Sequence, residues 1–369
     1  MFNAAASFFR PYHLAAGLVL LLGMALIVWS SRDELVRGTL GLEHRLSGLR
    51  EVTIETPAGP IPTLTGGSGE PLVLIHGFAG DKDNWDPVAR YLNKRFKLWA
   101  PDLVGFGESP KDRGADYHIH SQAERIVAWA DAAHIDKFHV GGNSMGGFIA
   151  GDIAANHPDR VLSAWLIDPA GVTGAQPGVV EKAYRENGTI VMAVDSRESY
   201  RKLLNLVFDD NPPFIPGFLE DALADQAIGD RVLRMQVFRD LADPAQPHLN
   251  ELLPKIKAPV LLVWGQLDRV VDVSGVEVLL NVRPDIHTLV MPATGHSPMI
   301  DKPRQLATAF LKFQDSMAGG DRWLRGARNS TILTNDSTQS SGRTGAAAAQ
   351  QTHMTYLKWL RRLAALVGV

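Results

Sequence analysis

The residues that most restrict what this chain can fold into are Gly142-Asn143-Ser144-Met145-Gly146, lying between the apolar run "FHV" and the stretch "GFIAGDIAANH". A serine with glycine two positions before and two after it, where a strand becomes a helix, marks a sharp turn without room for side chains at the flanking positions. Such a turn would expose Ser144 at the carboxyl end of the strand. The free N–H groups and positive dipole end of the following helix would face the same point.

The surrounding sequence repeats the rhythm that this turn needs. "VTIETPAGPIPTLTGG" alternates around turn residues as a hairpin does, and residues 71–77, "PLVLIHG", read as a buried strand. In "DPVARYL", Asp86 is expected to cap a helix with Pro87 at its first position. "FKLWAPDLVGFGES" reads as a strand breaking into a glycine-rich loop, and Ser121 with Glu124 forms a capping-box pattern before the helix "RIVAWADAA". "FHVGGNS", "MGGFIAGDIAANH" and "VLSAWLID" give strand, helix, strand. Alternation of this kind predicts an α/β fold: a mostly parallel sheet with helices on both faces. The rhythm stops over residues 171–256, read as a helical insertion interrupted by "DDNPPFIPGF". It resumes with the strand "PVLLVWGQLD", a helix near 274–282, the strand "HTLVMP", and a helix from about Arg304 to Phe313.

A serine hydroxyl is a poor nucleophile without a base, so the turn calls for a histidine and a carboxylate later in the chain. Asp268 follows one buried strand in "WGQLDRVV", and His296 follows the next in "MPATGHSPM". Both stand at strand carboxyl ends, where an open α/β sheet gathers its site. His296 is expected to be the base and then the acid toward the leaving group, with Asp268 orienting it. Asp168, ending "WLIDPAG", is the rival carboxylate. Acyl transfer also needs two donors for an oxyanion: the N–H of Met145, and that of Phe78 in "HGFAGDKDNW". His76 in the same loop, and the loop "DLVGFGES", read as structural. His118, His120, His134 and His157 have no comparable context. No metal-ligand spacing and no dinucleotide-binding glycine pattern occurs, so neither metal nor cofactor is expected.

Composition narrows the remaining classes. The 369 residues carry a net charge of −3, which advertises no nucleic-acid partner, and contain no cysteine, which removes thiol chemistry and disulfides. Residues 14–29, "LAAGLVLLLGMALIVW", approach the length of a membrane span. An uncleaved N-terminal transmembrane anchor is expected, with a cleaved signal peptide and a secreted or periplasmic protein as the alternative. Arg32, Arg37, Arg45 and Arg50 follow this segment and only Arg10 precedes it, so the body leans cytoplasmic. After Met317 the chain turns low-complexity and ends in "TYLKWLRRLAALVGV", a basic amphipathic pattern suited to a membrane surface or to docking on the body.

"LIHGFAGDKDNW", "APDLVGFGES", "GGNSMGG", "DPAGV", "WGQLDRVVDVSG" and "GHSPM" together resemble the α/β-hydrolase superfamily over about residues 50–316. Within it, the likeness is closest to membrane-anchored monoacylglycerol lipases and related bacterial lipases. The resemblance implies hydrolysis of monoacylglycerols or other lipid esters through an acyl-enzyme on Ser144, under a helical cap. It also implies an oxyanion hole formed by Phe78 and Met145. Meta-cleavage-product hydrolases, which break carbon–carbon bonds, and small-ester carboxylesterases are the alternatives. The first share the "NSMGG" elbow, but "HGFAG" and Ser297 depart from their pattern. Haloalkane dehalogenases and epoxide hydrolases of this fold place aspartate where Ser144 stands. The expected organisation is an anchor (1–32), a connector (33–50), the first part of the core (51–170), a cap (171–256), the second part of the core (257–316) and a tail (317–369). An apolar group in the cap, Phe208, Phe214, Ile215, Phe218 and Leu219, is the expected acyl pocket.

Overall fold

The computed structural model describes residues 32–318. A helix, α1 (Arg32–Leu46), leads into the hairpin β1 (Leu49–Thr56) and β2 (Gly59–Gly67). Then follow β3 (Glu70–Ile75), a 3₁₀ turn (Lys82–Trp85), α2 (Asp86–Leu92), β4 (Phe96–Pro101) and α3 (Ile119–Ala132). The centre is β5 (Phe138–Asn143), α4 (Met145–Asn156) and β6 (Val161–Ile167). Five helices come before the next strand: α5 (Val179–Asn187), α6 (Arg197–Val207), α7 (Gly217–Gly229), α8 (Arg231–Leu241) and α9 (Leu249–Leu252). The chain closes with β7 (Val260–Gly265), α10 (Gly275–Val282), β8 (His287–Met291), α11 (Pro298–Asp301) and α12 (Pro303–Ala318).

The eight strands form one sheet in the order β1-β2-β4-β3-β5-β6-β7-β8. Pairing is antiparallel from β1 to β2 and from β2 to β4, and parallel from there onward. The central strands are apolar throughout because successive side chains point to opposite faces and both faces are covered. Val73 and Ile75 of β3, Ala164 and Leu166 of β6, and Leu262 and Trp264 of β7 enter one core with Trp129 and Ile149 of the helices behind them. Their neighbours Leu72, Leu74, Trp165, Ile167, Leu261 and Val263 enter the other, with Val88 and Phe310. In that second layer the Phe310 ring stacks on Trp165, centroids 4.4 Å apart and planes 15° from parallel.

Two helix starts differ from the sequence reading. Asp86 is the first residue of α2, not its cap, because the 3₁₀ turn runs straight into the helix. Asp81 caps that turn instead, accepting from the Asp83 amide. The Asp86 carboxylate faces His44 of α1, Oδ2 to Nε2 3.4 Å. Ser121 and Glu124 make no capping box: α3 begins two residues earlier, at Ile119. There the Ile119 amide donates to Gln246 Oε1 at 3.1 Å, so the start of the helix is satisfied from a distant segment. Ser121 Oγ donates to Asp116, and Glu124 meets His157. Among the described residues no helix is long and apolar enough to cross a membrane, and the segments read as anchor and tail helix lie outside those residues.

Candidate active site

The turn between β5 and α4 explains its own glycines. A Cβ on Gly142 would fall 2.0 Å from the Gly146 carbonyl oxygen, and one on Gly146 would fall 2.2 Å from that of Ile75. Ser144 itself sits at φ 57°, ψ −119°, a conformation that side chains other than glycine rarely adopt. Such strain costs about 1–3 kcal/mol and persists only where surrounding contacts fix it. Here the Ser144 amide donates to Ile167 O at 2.9 Å, and its carbonyl accepts from Phe148 and Ala170, each at 3.0 Å. The turn is thus held from β6 and from its own helix.

Asp268 and His296 come together as the sequence reading expects. His296 Nδ1 lies 2.6 Å from Asp268 Oδ2, and both side chains are buried. The other carboxylate oxygen of Asp268 accepts from the amides of Val270 and Val271, at 2.8 and 3.1 Å. The carboxylate therefore has no rotational freedom and holds the imidazole with Nδ1–H donating. Nε2 is left as the basic nitrogen. Ser144 and His296 line one cavity of about 860 Å³. Among the described residues no hydrogen bond joins Ser144 Oγ to His296, in keeping with the looser geometry of such pairs before substrate binds.

The rival carboxylate lies beside this pair without touching the imidazole ring through a hydrogen bond. Asp168 Oδ1 accepts from the Gly265 amide at 2.6 Å, while Oδ2 is buried without a hydrogen-bond partner. Oxygen or nitrogen atoms of Asp168, Asp268 and His296 all fall within 4.8 Å of one another. Burial, and then the charge of Asp268, raise the Asp168 carboxyl well above the usual carboxylate range. Both causes favour its protonated form, whereas Asp268 is the carboxyl hydrogen-bonded to the imidazole.

Phe78 and Met145 both lie beside Ser144, one in the loop after β3 and the other at the start of α4. A Cβ on Gly77 would be 3.2 Å from the Ser144 Cβ, which puts the β3 loop against the serine. Neither the Phe78 amide nor that of Met145 has an acceptor among the described hydrogen bonds. The Phe78 ring is held edge-on by Phe106 and by Phe238 of α8, with centroids 5.6 and 5.9 Å away. His76 is fully buried, receives the Leu103 amide at 3.0 Å and has its basicity lowered by burial. It pins the two loops together. In "DLVGFGES" the Asp102 carboxylate accepts from the amides of Lys82 and Glu108, closing the loop on itself.

Three features of the site are not visible in the sequence pattern. Asn143 Nδ2 donates to the His296 carbonyl at 3.0 Å, tying the histidine loop to the serine turn. The His296 amide donates to Val207 O, so the last turn of α6 holds the histidine from the insertion. Asp301 accepts from the Gly295 amide at 3.0 Å. Of the expected acyl pocket, Phe208, Ile215 and Leu219 line the cavity. Phe214 and Phe218 do not: they turn outward, 63% and 37% exposed.

Comparison with known proteins agrees with this architecture. The family model described as alpha/beta hydrolase fold matches residues 70–303. Lipase 3 of a Moraxella species is 34% identical over 252 residues, covering 68% of this chain and 79% of that protein. The monoacylglycerol lipase abhd6-B of Xenopus laevis is 30% identical over 265 residues, covering 69% and 78%. The crystal structure of a membrane phospholipase A, described as a bacterial virulence factor, superposes with a TM-score of 0.76 at 38% identity, covering 83% of this chain and 99% of that one. The chain belongs to the α/β-hydrolase family. Within that family it is a hydrolase of the lipase and esterase kind.

Proposed function

We propose that this protein cleaves carboxylic esters of lipids, with monoacylglycerols among them, through an acyl-enzyme on Ser144. One observation carries the reading: Ser144 and His296 open together into a large cavity walled mainly by apolar side chains such as Leu203, Phe208, Ile215 and Leu219. Its size falls within the range that encloses a drug-sized ligand. Val36 and Leu40 of α1 extend the same wall, so the helix that follows the apolar segment 14–29 borders the cavity. A membrane anchor in that segment, with the body on the cytoplasmic side, would present the cavity to lipid. Cleavage of the segment would release a periplasmic or secreted enzyme.

In the first step Ser144 Oγ attacks the ester carbonyl while His296 Nε2 takes its proton. Asp268 stabilises the imidazolium through Nδ1–H. The amides of Phe78 and Met145 donate to the oxygen that becomes negative. As the intermediate collapses, the C–O bond to the alcohol breaks and His296 returns the proton to the leaving oxygen. Water then attacks the acyl-serine by the same route, and the acid is released.

The test is the rate of hydrolysis across monoacylglycerols and p-nitrophenyl esters from short to long acyl chains, with Ser144→Ala as control. The reading expects kcat/KM to rise toward medium or long chains and to vanish in the variant. Activity confined to acetate and butyrate would move the protein to the small-ester class, and activity only on carbon–carbon substrates to the meta-cleavage class.

A further inference from the structure

Of the charged side chains that line the cavity without a part in the ester chemistry, one is an enclosed cation on the insertion. Arg234 of α8 is 9% exposed and lines the same cavity as Ser144. Among the described residues its guanidinium makes no hydrogen bond and no ion pair. The groups that could neutralise it are otherwise engaged. Asp230, one turn earlier, is bonded to Lys111 Nζ at 2.7 Å. The Asp81 carboxyl is pushed up to about 8 by burial and by the charges of Asp83 and Asp102, so it is mostly protonated at pH 7. The Tyr200 hydroxyl is pushed up to about 12 by burial and is neutral as well. Burial lowers the basicity of Arg234 too, but a guanidinium keeps its charge at neutral pH.

Its nitrogens keep contact with the open cavity, but a guanidinium so enclosed loses part of its hydration without a partner in return, a cost that a hydrophobic residue of similar size would avoid. Other charged side chains, among them Arg37, Arg45, Arg50, Glu51, Lys82 and Glu108, line the cavity on the side of α1 and the β3 loop, but the insertion's share of the wall, with Leu203, Phe208, Ile215, Leu219 and Leu223, is largely apolar, as an acyl chain requires. A guanidinium at one place in such a wall fits a ligand that is apolar along its length and bears one oxyanion. Its planar fork matches phosphate oxygens two at a time.

We propose that Arg234 is a specificity-determining residue that binds the headgroup phosphate of a glycerophospholipid whose acyl ester lies at Ser144. The favoured substrates are then acyl esters with an anionic phosphate headgroup, ahead of neutral monoacylglycerols. This rests on the ester-hydrolase reading above and deepens it.

The experiment compares lauroyl lysophosphatidylglycerol with 1-lauroylglycerol on the full-length protein, for wild type, Arg234→Met and Arg234→Lys. Arg234→Met is expected to lose about 10- to 100-fold in kcat/KM on the lysophospholipid, the scale of a charge-assisted hydrogen bond. The loss should fall mainly on KM, and turnover of 1-lauroylglycerol should stay within about twofold. Arg234→Lys should recover much of the lysophospholipid activity. The melting temperature of Arg234→Met should be equal to or above wild type, because an unpaired buried charge is removed. Equal losses on both substrates, or no loss on either, would overturn the proposal. So would relief of laurate inhibition in Arg234→Met with unchanged lysophospholipid kinetics, which would assign the arginine to the product carboxylate. Inhibition of 1-lauroylglycerol hydrolysis by inorganic phosphate, without any preference for the lysophospholipid, would assign it to the free ion. Failure of wild type on every ester would instead sink the underlying ester-hydrolase reading.

Discussion

The carboxyl end of the sheet and the helical insertion above it are built on different principles. At the sheet end every candidate group is fixed more than once. Ser144 is clamped by backbone bonds to Ile167, Phe148 and Ala170, and Asp268 by two amides and the imidazole. The insertion between β6 and β7 also buries apolar side chains in the sheet's core, among them Leu203, Leu206, Leu233 and Val237, but its outer faces are joined by ion pairs such as Arg197 with Asp221 and Arg201 with Glu220. Pairs of that kind contribute about 0–1 kcal/mol each. The insertion also leaves Phe214 and Val232 more than half exposed. The difference separates two tasks. Groups that move protons need fixed geometry, whereas a wall that admits lipid chains tolerates weaker contacts. Two helices tie the insertion to the sheet end: α6, whose Val207 carbonyl holds the histidine, and α8, whose Phe238 packs on Phe78.

Breaking the rigid side should have the largest effect. Asp268→Asn removes the charge that holds His296 in its tautomer, and kcat is expected to fall about 10³- to 10⁴-fold with the fold intact. Steady-state kinetics beside a melting curve checks this. A loss below tenfold would shift the orienting role to another group. Between the two layers the contrast is one of stability. Phe310→Ala in the packed second core should cost about 3–5 kcal/mol, while Arg201→Ala in the insertion should cost less than about 1 kcal/mol. Urea titration of both variants sharpens the comparison, and similar costs would erase it.

The smallest effect concerns the second buried carboxyl, Asp168. Asp168 has an ordinary value of 3.8 and keeps its proton well above it when buried. Between those limits the folded state binds more protons than the unfolded state, so Asp168 lowers stability progressively as pH rises from about 4. Asp168→Asn lacks that dependence. Its stability, followed by melting temperature, should gain on wild type as pH rises above about 4, by at most about 1.4 kcal/mol per pH unit, while kcat stays within tenfold. Loss of activity as large as in Asp268→Asn would mean that Asp168 acts as a charged partner.

Much of the sheet end could be read from the sequence because its constraints are local. The glycines around Ser144 answer to backbone atoms within a few residues or on the adjacent strand, and apolar runs ending in Asp268 and just ahead of His296 mark strand ends. What escaped depends on segments far apart in the chain. Gln246 caps α3 in place of Ser121, and Asn143 bridges to the His296 loop across 153 positions. In the insertion, the helices fix which apolar side chains face inward, so Phe208 meets the cavity and Phe214 does not. Arg234 looks in sequence like any arginine on an amphipathic helix. Only the fold shows that it is buried and faces the cavity.

The central claim is that Ser144 is the nucleophile of an acyl-enzyme. The most direct measurement is labelling of the intact protein with a fluorophosphonate, followed by mass spectrometry of the modified peptide. The account predicts one adduct, on Ser144, absent in a folded Ser144→Ala variant. An adduct that persists in that variant, or that maps to another residue, would contradict it.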